Sequence, residues 1–464
     1  MSAGRFKRCV LGGVFWCCLG LNGAPLAVAA EIPAAVKDMV RARVDGDKTA
    51  GMVVGLADAR GMTFFGYGRL PTAQSDIAVE NVIFEIGSIS KVFTGVLLAA
   101  AVDRGEVRLT DPIAAHLPAD LPLSENIGST IRLVNLSAHN SGLPRMPDNI
   151  SPQDPGNPYA DYGVEELYTF LGEVSLSRQV ADAYEYSNLG AGLLGHLLAR
   201  ASNQTYEALV VQRIAGELGM PDTRITLNPE RQDRLARGHA GAREVPNWDL
   251  GVLAGAGGLR STARDMLVFL SANAGLMDTE LAATLRMTHR VQGDAGSPQM
   301  DMGMGWHILK VPEGDNVFWH NGGTGGYRAF AGFTQNPPQG VVVLTNSGGA
   351  GDDDIGFHLL NPELPMAPFA PRREIELPMA TLDQYVGRYQ LSDQRAFKVT
   401  RQESQLMVQL SGQPTVPVFP ETATRFFYKV VDAQLEFELN TQGAVTALVL
   451  YQGGGVFKAK RIAP

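Results

Sequence analysis

"FEIGSISKVFTG", residues 84 to 95, sets a serine and a lysine three positions apart at the start of an apolar run that continues to Gly105. Apolar residues at nearly every position predict a helix buried on most sides and stopped by that glycine. One turn of such a helix brings Ser88 and Lys91 onto the same face, close enough to exchange a proton. Of the nine lysines in the chain, Lys91 alone has a serine three positions before it. Serine attacks a carbonyl only when a neighbouring base accepts its proton, and lysine serves as that base only when neutral. Burial and nearby positive charge both push a lysine toward neutrality. Taken alone, the pair is equally compatible with a surface lysine that keeps its head in water.

The 464 residues, 45% hydrophobic and 19% charged, describe a globular chain long enough for a large core and an appended module. "MSAGRFKR" followed by "CVLGGVFWCCLGLNGAPL" and "AVAA" reads as a targeting segment over residues 1–30, and periplasmic or secreted localisation is expected. Asn22, Gly23 and Pro25 interrupt the apolar part, so stable membrane insertion is not expected. All three cysteines, Cys9, Cys17 and Cys18, lie within it. A processed chain would carry neither disulfides nor a Cys/His zinc pattern. Losing Arg5, Lys7 and Arg8 and no acid takes the formal charge from -9 to -12. An acidic protein is a poor partner for nucleic acid or an anionic membrane surface.

From Gly51, "GMVVGLADARGMTFFGYGRL" predicts a two-stranded hairpin turning at "DARG". Helical patterns such as "NLGAGLLGHLLARAS" and "TYEALVVQRIAGELGM" occupy the middle of the chain, with the long loop "MPDNISPQDPGNPYADYG" among them. A loop of that size is either a binding element or surface decoration. Strand character returns in "MGMGWHILKV", "NVFWHNGG", "YRAFAGFT" and "GVVVLTNS", which are expected to share a sheet with the first hairpin. Five prolines in residues 361–380 mark a linker. Short alternating runs from "YVGRYQLS" to "AVTALVLYQ" then predict a small all-β barrel over residues 381–464. The expected organisation is a mixed α/β catalytic domain over residues 31–360, with an antiparallel sheet, flanking helices and a helical lobe, followed by that barrel.

Two further elements carry potential chemistry. In "YEYSNLGAG", the Tyr186 phenol could relay a proton, although Tyr-x-Asn is also a common entry to a helix with asparagine as cap. In "WHNGGTGGYRAF", His320 precedes glycines that let a substrate approach the backbone, although "NGG" is also a hairpin turn. In the order Ser-x-x-Lys, Tyr-Ser-Asn, His-Asn-Gly, the three elements resemble the active-site motifs of penicillin-recognising serine hydrolases: class C β-lactamases, D,D-carboxypeptidases, D-aminopeptidases and related esterases. "LTDPI", "LVNLSAHNSGLPR", "ELGMPDT", "GAGGLRSTARDM" and "GMGW" support the resemblance over about residues 32 to 350. The C-terminal barrel resembles the lipocalin-like appendage of some members.

That resemblance implies Ser88 as the nucleophile of an acyl-enzyme, with Lys91 and Tyr186 sharing its proton and the tyrosine oxygen as the favoured base. Asn188 would hydrogen-bond the substrate amide, and the backbone N–H groups of Ser88 and Gly323 would form the oxyanion hole. The third motif departs from the usual Lys-Thr-Gly: His320, Asn321 and Gly322 replace it, leaving Thr324 as the nearest hydroxyl for a substrate carboxylate. Histidine is mostly neutral near pH 7, so carboxylate recognition becomes an open question. His139 is expected to brace its loop, and Arg328 either approaches an anionic substrate or lies exposed on a strand. The substrate class implied is a small molecule or short peptide, most plausibly a D-Ala-D-Ala-type amide or a β-lactam, with neither metal nor organic cofactor. Carboxylesterase activity and a penicillin-binding sensor without turnover are the alternatives.

Overall fold

The computed structural model describes residues 31–462 except 71–75, 125–126, 177, 313, 350, 370–373, 393–394, 430–432 and 453–454. The expected targeting segment lies outside the described residues. Among them, no helix is long and apolar enough to cross a membrane.

Eight antiparallel strands form the main sheet: β1 (Gly51–Asp58), β2 (Gly61–Gly68), β3 (Gly293–Ser297), β4 (Met300–Met302), β5 (His307–Leu309), β6 (Val317–Gly323), β7 (Arg328–Gln335) and β8 (Pro338–Thr345). Their order is β2-β1-β8-β7-β6-β5-β4-β3, so the first hairpin and the late strands do share one sheet. Strands apolar at almost every position are buried on both faces. On one face, Met52, Val54 and Leu56 of β1 pack with Val36 and Val40 of α1 (Ala34–Asp45) and Ile355 and Leu359 of α5 (Asp353–Leu360). On the other, Val53 and Ala57 join the larger core, built with α2 (Ser90–Asp103), α3 (Asn188–Ala201) and α4 (Ala263–Ala274).

Helix α2 is buried from Ser90 to Ala101, as its continuous apolar sequence predicts, and Phe93 stacks on Phe269 of α4 at 4.4 Å. The "GMGW" segment crosses its first turns at backbone distance. A Cβ on Gly95 would stand 2.1 Å from the Met304 carbonyl oxygen, and one on Gly305 would stand 2.5 Å from that of Lys91.

The C-terminal unit is a closed barrel of eight strands, the first pairing with the last through Arg388↔Ile462. Its closing strand, Gly455–Ile462, is additional to the alternating runs read from sequence. The region expected as linker up to residue 380 instead enters a helix at Met379, α6 (Met379–Tyr385), with Pro378 as its cap. Leu382 and Tyr385 of α6 belong to the barrel core, where Tyr385 stacks on Phe437 at 4.3 Å.

Replacing an interior helical glycine by alanine ordinarily stabilises a helix by about 1 kcal/mol. Gly95→Ala is expected to do the opposite, lowering stability by roughly 1–3 kcal/mol through overpacking against the Met304 backbone. Urea denaturation checks the sign, and a raised midpoint would contradict the close approach.

Candidate active site

Ser88 sits in a short 3₁₀ turn, Gly87–Ile89, that leads into α2. The turn is tied down on both sides. The Ile86 N–H donates to the Leu259 carbonyl at 3.1 Å, while Ser90 Oγ donates to Gly87 O at 2.8 Å and accepts from Leu259 N at 3.0 Å. The second serine of "SISK" is thus a structural clamp. It leaves Ser88 free, and Lys91 Nζ stands 2.9 Å from Ser88 Oγ and 2.7 Å from the Ala256 carbonyl.

Lys91 is 2% exposed, and this burial, with a smaller contribution from Arg145, holds its pKa well below the usual lysine range. Burial thus favours the neutral amine, the form that can accept the serine proton. Tyr186 hydrogen-bonds Ser88 and lies with its ring centre 4.8 Å from Lys91 Nζ. Burial raises the Tyr186 pKa, and the bonds to Ser88 and the charge of Arg145 only partly oppose this. Burial thus favours the protonated phenol.

The loop carrying Tyr186 is braced by His139, whose ring lies 4.4 Å from the Tyr186 ring and whose Nδ1 accepts from the Ser187 N–H at 3.1 Å. His307 and His320 complete a wall of imidazoles, with ring centres 6.5 and 6.1 Å from Tyr186. Burial lowers the pKa of all three, His307 to about 4, so the wall is uncharged at neutral pH.

The third motif lies on β6, whose pairing with β5 covers only Val317 to Trp319. Beyond that point the strand edge is met by the Ser88 turn. Gly87 has φ +51°, and a Cβ there would stand 2.5 Å from Gly323 N; one on Gly322 would stand 1.9 Å from Ile86 O and 3.1 Å from Ser88 N. Only residues without side chains let the Ser88 and Gly323 backbones come this close.

Alternation along β6 separates neighbouring motif residues. His320 is wholly buried on the Tyr186 side, with Nδ1 2.5 Å from the Asn321 carbonyl. Asn321 faces α5, donating to Asp353 Oδ2 at 2.6 Å. Its side chain is therefore not brought to the cleft, a correction to the sequence reading. Arg328 pairs opposite Gly323 and donates to Gly349 O at 2.8 Å on that same far side.

A solvent-open cleft of about 380 Å³ lies beside Ser88, lined by Asn188, Gly323 and Thr324 among the expected residues. Sequence reasoning missed the opposite wall, Trp248, Leu250 and Leu253, and the contributions of Met146 and Tyr159 from the long polar loop. Tyr159 meets Trp248 edge-on at 5.2 Å, and Asn157 bonds Asp249 at 2.9 Å, so the loop is a docked wall of the cleft. Its length was the available signal, but nothing local named its partners.

Residues 36–360 match the Beta-lactamase family model, and residues 371–460 match a domain of unknown function, DUF3471. The chain is 27% identical to the D-alanyl-D-alanine-carboxypeptidase/endopeptidase AmpH of Escherichia coli K12 over 74% of this chain and 92% of that protein. It is 26% identical to penicillin-binding protein 4* of Bacillus subtilis 168, over 86% and 91% of the two chains. A class C β-lactamase structure from Rhodobacter sphaeroides superposes with a TM-score of 0.61 at 23% identity, covering 71% of this chain and all of that one. With a family match spanning most of its length, the chain belongs to the β-lactamase family and is a serine hydrolase.

Proposed function

We propose that the protein is an exported acyl-transfer hydrolase acting on D-Ala-D-Ala-type amides and β-lactams through an acyl-enzyme at Ser88. The observation that carries this reading is a buried Lys91 amine, its pKa held well below the usual lysine range, 2.9 Å from Ser88 Oγ, with the Tyr186 hydroxyl on the same oxygen. Lys91 takes the serine proton as Oγ attacks the carbonyl. The oxyanion that forms is received by the N–H groups of Ser88 and Gly323, each such donor being worth about 10²–10³ in rate. Tyr186, kept protonated by its burial, hands a proton to the departing amine and is recharged from Lys91. Water then hydrolyses the acyl-enzyme by the same route in reverse. Asn188 would hold the acyl-side amide, a role supported by its position at the start of α3 and on the cleft surface.

Carboxylesterase activity is the second reading, favoured by the wall of Trp248, Leu250 and Leu253 and by a buried histidine where related sites carry lysine. The leader-like residues 1–30 and the names of the relatives support export and the peptide substrate.

Ser88→Ala is expected to remove hydrolysis by on the order of 10⁴-fold or more and to abolish the covalent adduct seen by intact-mass spectrometry after exposure to a β-lactam. Retained turnover would dismiss Ser88 as nucleophile. The pH dependence has a defined sign: Lys91 works as the neutral amine, so kcat/KM should hold through neutral pH and fall as acidification protonates it. A pH–rate profile with its limb near the ordinary lysine value of about 10.4 would contradict a neutral base.

A further inference from the structure

His320 and Lys91 are both too buried to meet an anion in the cleft, the first bonded to the Asn321 carbonyl and the second to Ser88 and Ala256. Arg328 is turned to the far side of β6. Arg145 is differently placed. It is exposed, and its guanidinium carbon lies 5.0 Å from the centre of the Tyr186 ring. Nearby Arg178 is paired with Glu185 at 3.1 Å, whereas Arg145 has no carboxylate partner among the described residues.

Its backbone is held firmly. The Arg145 carbonyl accepts the N–H groups of Asn188 at 2.9 Å and Leu189 at 3.2 Å, and Ser187 Oγ donates to Pro144 O at 2.7 Å. Arg145 is thus anchored to the first turn of α3, the same turn that presents Asn188 to the cleft. The next residue, Met146, lines that cleft. The charge of Arg145 acts on Tyr159 of the docked loop as well as on Tyr184 and Tyr186.

We infer that Arg145 is the anion anchor of this site, its guanidinium binding a substrate carboxylate on the leaving-group side, where Tyr186 returns the proton. The inference rests on the acyl-transfer reading of Ser88 and specifies its substrates as those carrying a carboxylate beyond the scissile bond. A fixed, forked cation supplied by the loop after "SGLP" then takes the place of the lysine that β6 lacks.

The test compares wild type, Arg145→Ala and Arg145→Lys on paired probes: an acyl-D-Ala-D-Ala peptide with a free C-terminus against its C-terminal amide, and benzylpenicillin against its methyl ester. For each pair the ratio of kcat/KM, or of Ser88 acylation rates by intact mass, is the readout. Arg145→Ala should lower the acid-to-neutral ratio roughly tenfold to a hundredfold, the size of one charge-assisted bond, mainly through KM, with Arg145→Lys recovering part. A structural role would slow both members of a pair alike and leave the ratio unchanged, which overturns the inference. If wild type handles the neutral probe as well as the acid, the anion anchor is refuted while Ser88 acylation stands. If neither probe labels Ser88, the reading of the site itself fails and the inference with it.

Discussion

An ammonium group enclosed in an apolar core costs several kcal/mol unless it is paired. Lys91 is enclosed in this way without a carboxylate beside it among the described residues, its Nζ donating to the Ala256 carbonyl and bonded to Ser88 Oγ. Burial in the core therefore favours the neutral amine. The neighbours conform to it: three buried imidazoles and a protonated phenol surround Lys91 without adding charge. The permanent charge in the vicinity, Arg145, stands at the exposed side of Tyr186 and reinforces the neutrality of Lys91.

A second constraint is backbone distance. The Ser88 turn is wedged between the open edge of β6 and the segment around Leu259, and the "GMGW" segment presses on the helix behind it. Each of these approaches passes over a glycine: Gly87, Gly95, Gly305 or Gly322. Because β5 stops pairing at Trp319, the following residues of β6 are free to meet the turn instead of another strand. Strand length thus decides where the backbones of Ser88 and Gly323 meet.

The third motif shows how a single strand divides its labour. His320 belongs to the uncharged wall behind Tyr186, while Asn321, its neighbour, is spent on Asp353 across the sheet. The cleft walls then come from elements remote in sequence: Trp248 and Leu250 on one side, and the docked loop with Met146 and Tyr159. The barrel, with Leu382 and Tyr385 of α6 in its core, is a separate packing unit with its own hydrophobic cluster.

Much of this was legible along the chain, because the signals are local. A continuous apolar stretch marked α2 as buried, β-favouring runs marked β1 and β8 as strands, and alternating runs marked the barrel, since periodicity is written into consecutive residues. Ser-x-x-Lys was legible because one helical turn fixes that contact, and the ordered trio of motifs identified the family. The barrel's last strand and α6 were not, as neither departs enough from its polar surroundings. Nor could sequence alone assign charge: whether Lys91 is neutral, whether Tyr186 is phenol or phenolate, and which face of β6 Asn321 occupies depend on burial and pairing by residues up to hundreds of positions away. Sequence by itself determined the pairing of Ser88 with Lys91 and the kind of fold; tertiary structure alone decided which protonation states burial favours, the cleft walls and the position of Arg145, because desolvation and long-range contact exist only once the chain has closed on itself.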